Sequence, residues 1–138
     1  MRFDKKYKIQ LTDSTFRRMD EAPDDQFYRI PRFVSHIDPD AIDRVTELYR
    51  EYLSADTAVL DLMSSWLSHL PEELALGRVV GLGMNDREMA RNPQLDQWVV
   101  HDLNREPSLP FIDGEFDAVL ICVSIDYLTN PVAVLRDA

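Results

Sequence analysis

The sequence predicts an α/β fold built on a parallel sheet with helices on its faces. Short, near-continuous apolar runs recur at 57–62, 78–83, 97–101 and 116–124. Polar segments of roughly fifteen residues separate them, too long for hairpins and suited to crossovers. Runs without polar alternation belong to strands buried on both sides, which parallel sheets covered by helices require.

Taken in order, residues 1–54 read as an N-terminal arm with a capping helix, and 55–138 as the sheet domain. Residues 1–26 are polar and irregular, and the acidic stretch 20–25 around Pro23 is expected to be a solvated loop. Over 27–34 the composition turns aromatic and basic. A helix then opens, with Asp38 placed to cap it and Pro39 suited to its first position. Ile42, Val45, Leu48, Tyr49 and Tyr52 fall on one stripe at helical spacing, opposite a charged face. Beyond residue 57 the connections between strands read as helix-like. The clearest comes after the second strand, with Asn85 as cap, Glu88 as its returning partner and Asn92-Pro93 as the stop. A last helix begins at Asn130 and Pro131.

At 138 residues the chain is long enough for a single core. Net charge is −10 with the acids spread along the chain, which argues against a nucleic-acid partner, because phosphate backbones need a basic face. The longest apolar run, 118–123, cannot span a bilayer. Residues 1–6 have no apolar stretch behind them and carry no secretion signal. The single cysteine, Cys122, excludes an intrachain disulfide and a cysteine-pair zinc site. A cytoplasmic protein is expected, with no membrane contact and no metal.

In open α/β sheets, ligands sit beyond the carboxyl ends of the strands. Polar residues stand at all four of those ends: Asp61, Ser64 and Ser65; Asn85 and Asp86; Asp102; Ser124 and Asp126. Any one of them is most simply a cap for the next helix. Their succession suits a cationic or hydroxyl-rich ligand.

Several segments also resemble the class I S-adenosylmethionine-dependent methyltransferases. Val59-Leu60-Asp61-Leu62 is similar to that family's first-strand motif. Asp102, Leu109-Pro110-Phe111, Asp113 and Phe116-Asp117 match the stretch that leads into its fourth strand, and 119–131 resembles that strand and the loop after it. The likeness covers 57–138 and implies a Rossmann-like sheet of order 3-2-1-4, S-adenosylmethionine as cofactor, and methyl transfer to a small-molecule acceptor. By the same resemblance, Asp61 lies near the aminocarboxypropyl end of the cofactor. The turn from Met63 through Ser64 and Ser65 passes beneath the cofactor and offers backbone N–H groups. Asp102 accepts from the adenine amino group, Leu103 lends its N–H to the ring, and Ser124 lies beside the sulfonium. Transfer of the activated methyl is an in-line displacement in which positioning supplies much of the rate. Only an acceptor carrying a proton of high pKa needs a general base. Asp126 and Tyr127 are the acid–base candidates, and Tyr28, Arg32 and His36 the candidates for a lid or substrate-side wall.

The chain departs from the family in three ways. Its loop reads Met63-Ser64-Ser65-Trp66-Leu67 with no glycine, although glycines normally allow positive φ and close approach to a ligand. It resembles a branch of methyltransferase-like proteins with a D-L-M-S-S-W loop. The acid that normally holds the ribose hydroxyls falls near Gly83, so Asn85 or Asp86 either reaches in its place or only caps the next helix. The family's last strands do not follow residue 138, which reads as a truncation and leaves the apolar fourth strand as an edge suited to pairing in a homodimer. A non-catalytic, methyltransferase-like interaction module is the alternative reading.

Other chemistries are weaker. Gly81-Leu82-Gly83 lacks the third glycine of a dinucleotide fingerprint, since residue 86 is aspartate. His36 with Asp38 and Asp40 is better read as structural than as a metal site. Ser64 has no glycine-flanked elbow, which argues against a hydrolase. Trp66 and Trp98 read as core or interface residues. His101 faces either the crevice or the opposite side.

Overall fold

The computed structural model describes residues 11–138. The reading of residues 1–6 as carrying no secretion signal therefore lies outside the described residues. The strands are β1 (Val59–Leu62), β2 (Val79–Gly83), β3 (Gln97–Val100) and β4 (Ala118–Ile121). All pairings are parallel and the order is β3-β2-β1-β4, as expected. The helices are α1 (Asp24–Phe27), α2 (Pro39–Tyr52), α3 (Asp86–Met89) and α4 (Pro131–Asp137). Among the described residues no helix is long and apolar enough to cross a membrane.

Strand side chains alternate between faces, and the core divides accordingly. Val59 and Val79 pack with Tyr49 and Leu53 at the end of α2 and with Leu70. Leu60, Leu62, Val80 and Leu82 pack on the other face with Leu103, Leu128 and Val134 of α4. Asp61 shares its face with Val59, so its carboxylate is embedded beneath the α2 side of the sheet.

The caps of α2 and α4 form as their sequences suggest. The Asp38 carboxylate accepts from the Ala41 N–H at 2.8 Å, and the Asn130 amide oxygen from the Ala133 N–H at 3.3 Å. The stripe on α2 is narrower than its spacing predicts. Tyr49 is buried and Val45 packs beside it, but Leu48 and Tyr52 are exposed. A short sheet covers only part of that helical face.

Of the three crossovers, only the one through α3 is helical; 63–78 and 101–117 are turns and bends. The first contains Pro71 and three serines, whose hydroxyls compete for backbone and side-chain partners. The second contains Pro107, Pro110 and Gly114, which break a helical run. The acidic stretch 20–25 is also not wholly solvated. Asp24 is buried, bonded to the Arg18 guanidinium at 2.5 Å and to the Asn104 amide at 2.6 Å.

Candidate functional site

A cavity of about 160 Å³ opens at the carboxyl ends of the strands. Its floor is the turn after β1. Its sides come from the segments after β2, β3 and β4, and the N-terminal arm from Asp24 to Ile37 covers it. Of the residues singled out in the sequence, Asp61, Met63, Ser64, Ser65, Asn85, Asp102, Leu103 and Ser124 all line it. So do Tyr28, Arg32, His36 and Tyr127, while Asp126 does not. All three histidines of the chain, His36, His69 and His101, border the same space.

Asp61 is the most buried of three buried carboxyl groups on the cavity, with Asp24 and Glu88. Its Oδ2 accepts from the Ser64 hydroxyl at 2.5 Å and the Ser68 hydroxyl at 2.6 Å. Among the described residues Oδ1 accepts no hydrogen bond. Burial pushes the Asp61 pKa up to about 6, and the two serine bonds pull in the opposite direction. Behind the serines, the Asn92 amide donates to Ser68 Oγ at 2.7 Å and to the Ser65 carbonyl at 3.0 Å. The loop thus stands on a polar network instead of on glycines.

The loop nevertheless keeps a backbone shape that glycine would favour. Met63, immediately after β1, has φ of +58°, in the left-handed region. Val123, just past β4 and also on the cavity, has φ of +57°, which is costly for a β-branched residue. Strain of this kind persists where the surroundings impose it, often at ligand sites.

The glycines that the turn lacks are found in β2. A Cβ at Gly83 would lie 2.3 Å from the Ser64 carbonyl oxygen, and one at Gly81 would lie 3.1 Å from Ser64 Oγ and 2.6 Å from Leu95 Cδ1. Gly81 and Gly83 are therefore the recess that receives the serine loop. The Ser64 N–H donates to the Leu82 carbonyl at 2.8 Å, while the N–H groups of Ser65 and Trp66 make no hydrogen bond among the described residues.

On the far side, Asp102 Oδ1 accepts from the N–H of Asn104 at 3.0 Å and of Arg105 at 3.2 Å, closing a turn. Its Oδ2 accepts nothing among the described residues, and the Leu103 N–H likewise donates to none of them. Asn104 joins three segments: its amide nitrogen donates to Asp24 and to the Tyr127 carbonyl, and its oxygen accepts from the Thr129 N–H at 2.7 Å.

Asn85 is committed at both ends. Its oxygen caps α3 through the Glu88 N–H at 3.1 Å, and its nitrogen donates to the Tyr28 carbonyl at 2.8 Å. The expected return from Glu88 does not form. The Glu88 carboxylate turns instead to the Ser65 hydroxyl at 2.7 Å and the Arg32 N–H at 2.6 Å. These longer-range partners hold the arm and the loop together, which a local capping bond would not do. The arm is further fixed where Trp66 Nε1 donates to the Val34 carbonyl at 3.1 Å and where the Arg32 guanidinium lies 4.1 Å from the centre of the Phe27 ring. Burial pushes the Tyr28 hydroxyl up to about 12, with the charge of Asp24 adding to the effect, so it remains a donor at neutral pH.

No family model matches the chain, and no curated protein matches it. Solved structures do. The chain is similar to one in the complex between the Haloferax volcanii Trm112 methyltransferase activator and its methyltransferase, with 18% identity and a TM-score of 0.53, over 71% of this chain and 48% of that one. It is also similar to magnesium protoporphyrin IX methyltransferase (ChlM) from Synechocystis PCC 6803, solved with SAM bound, with 16% identity and a TM-score of 0.50, over 95% of this chain and 72% of that one. The fold is that of the class I methyltransferases. The chain spans about half the length of the first of these two proteins.

Proposed function

We propose that this chain is an S-adenosylmethionine-dependent methyltransferase, or the cofactor-binding half of one, acting on a small-molecule acceptor. One observation carries the reading. Asp61 within β1 and Asp102 past β3 face a single cavity, each with one carboxylate oxygen that accepts no hydrogen bond among the described residues. A ligand with a cationic amine at one end and an amino-substituted ring at the other suits these two acceptors. The unbonded N–H groups of Ser65 and Trp66 suit its carboxylate, and the Leu103 N–H its ring. Met63, just after β1, and Ser124, past β4, border the same cavity and are the residues that would face the sulfonium. Tyr28, Arg32 and His36 form the wall facing the acceptor. Of the two acid–base candidates, Tyr127 borders the cavity and is the better placed. The protein is cytoplasmic on this reading and pairs with a second copy through the outer edge of β4, which among the described residues is bonded only to β1; light scattering checks that pairing.

The cofactor reading is tested by thermal melting with S-adenosylhomocysteine. At about a hundredfold over its dissociation constant the ligand adds roughly 2.7 kcal/mol, a clear rise in melting temperature. The second reading, a non-catalytic interaction module, is favoured by the glycine-free loop, in which Asp61 already has two internal donors. No shift at millimolar ligand selects that reading.

A further inference from the structure

We propose that Glu88 holds the ribose hydroxyls of the bound cofactor, an inference that rests on the cofactor reading above. In the sheet, β2 lies between β1 and β3. A ligand stretched from Asp61 to Asp102 therefore passes the end of β2 at its middle, and the middle of an adenosyl amino acid is its sugar. No side chain can reach the sugar from the last residue of β2, because a Cβ at Gly83 would meet the Ser64 carbonyl oxygen at 2.3 Å. Asn85 has both amide ends occupied. Asp86 is exposed, accepts from Trp98 Nε1 at 2.9 Å and does not line the cavity.

Glu88 is the remaining carboxylate of that segment on the cavity, and it is only 9% exposed. Its two oxygens accept one bond each, from a serine hydroxyl and a backbone N–H. No lysine or arginine among the described residues pairs with it. An ionised carboxylate has room for about four hydrogen bonds, and a buried one left half satisfied is costly. Two adjacent sugar hydroxyls supply two donors in one plane, one for each oxygen. Because Oε1 also holds the Arg32 N–H, ribose binding and the closed position of the arm share one side chain.

The test measures the affinity of the full chain for S-adenosylhomocysteine and for its 2′,3′-dideoxy analogue by calorimetry, in the unaltered protein and in Glu88→Gln. The unaltered protein should prefer the ribose form by about tenfold or more, as two bonds to a charged acceptor imply. In Glu88→Gln the preference should fall within about threefold, and because it is a ratio taken within one protein, a general loss of stability cancels. If Glu88→Gln does not fold, Glu88→Asp, which withdraws the charge by one methylene, serves the same comparison. An unaltered protein indifferent to the hydroxyls, or an equal preference in both proteins, overturns the proposal while the cofactor reading stands. Failure of the unaltered protein to bind S-adenosylhomocysteine at all removes the cofactor reading and this proposal with it.

Discussion

Replacing Asp61 with asparagine removes a buried negative charge while keeping the shape and an acceptor for Ser64 and Ser68. Folding carries the Asp61 pKa from 3.8 to about 6, chiefly through burial. Between those values the folded protein holds a proton that the unfolded chain has released, so stability falls as pH rises across the window. Above pH 6 the penalty is complete. Two pKa units at about 1.4 kcal/mol each put it near 3 kcal/mol as an upper bound. Asp61→Asn should therefore stabilise the protein at pH 7 by about 1–3 kcal/mol, raising the melting temperature by roughly 3–10 °C for a domain of this size. The gain should shrink to about half a kcal/mol at pH 4, where the folded aspartate is already neutral, and vanish as pH falls below the unfolded value of 3.8. Scanning calorimetry of both proteins from pH 4 to pH 8 reads this directly. The same substitution should abolish binding of S-adenosylhomocysteine, whose ammonium loses its counter-charge, and in the unaltered protein that affinity should weaken as pH drops below about 6. A variant less stable than the original at pH 7, or a difference that does not vary with pH, would refute the reasoning.

Gly83→Ala should cost about 3 kcal/mol or more by chemical denaturation, because its Cβ meets the Ser64 backbone carbonyl, and Ser64→Gly should not rescue it. Gly81→Ala should be partly rescued by Leu95→Ala, since the tightest contact there is a side-chain methyl, and rescue of both or neither would show that the loop is not seated as described. Val123→Asn should stabilise by about 1 kcal/mol, because asparagine tolerates the left-handed region and Val123 is half exposed, and urea midpoints will show it. Asn104→Ala should lose about 2–3 kcal/mol and speed amide exchange in residues 24–28, because it frees Asp24 and the Thr129 N–H together.

The sheet is legible in the sequence because its signal is repetitive: four apolar runs at crossover spacing admit few topologies other than a parallel one. The caps at Asp38, Asn85 and Asn130 are legible because each acts on a residue three positions on. The features that escape are non-local. Glu88 reads as the partner of Asn85, and only the fold brings it to Ser65 and Arg32, 23 and 56 residues away. Asp24 reads as part of a solvated loop, and its burial depends on Asn104, 80 residues on. The irregular crossover 63–78 reads as helix-like only if Pro71 and its serines are given too little weight, since they are the local signal against a helix.

The departures at residues 63–67 and 81–83 have a common cause. A glycine-rich turn lets a ligand and the neighbouring strand approach because the turn itself is thin. Here the turn is thick with serines and the strand beside it is thin, with Gly81 and Gly83 taking up Ser64. Met63 still provides the positive φ that redirects the chain, so the path of the turn is kept while its packing is inverted. That inversion displaces any side chain from the end of β2 and leaves Glu88, the first carboxylate beyond it that lines the cavity, as the group able to face the middle of that space. It also supplies the hydroxyls that keep Asp61 from being a bare buried charge. The serine loop, the glycine pair in β2 and the reach of Glu88 thus make up one arrangement, and a change at any of the three should be tolerated only with a matching change in another.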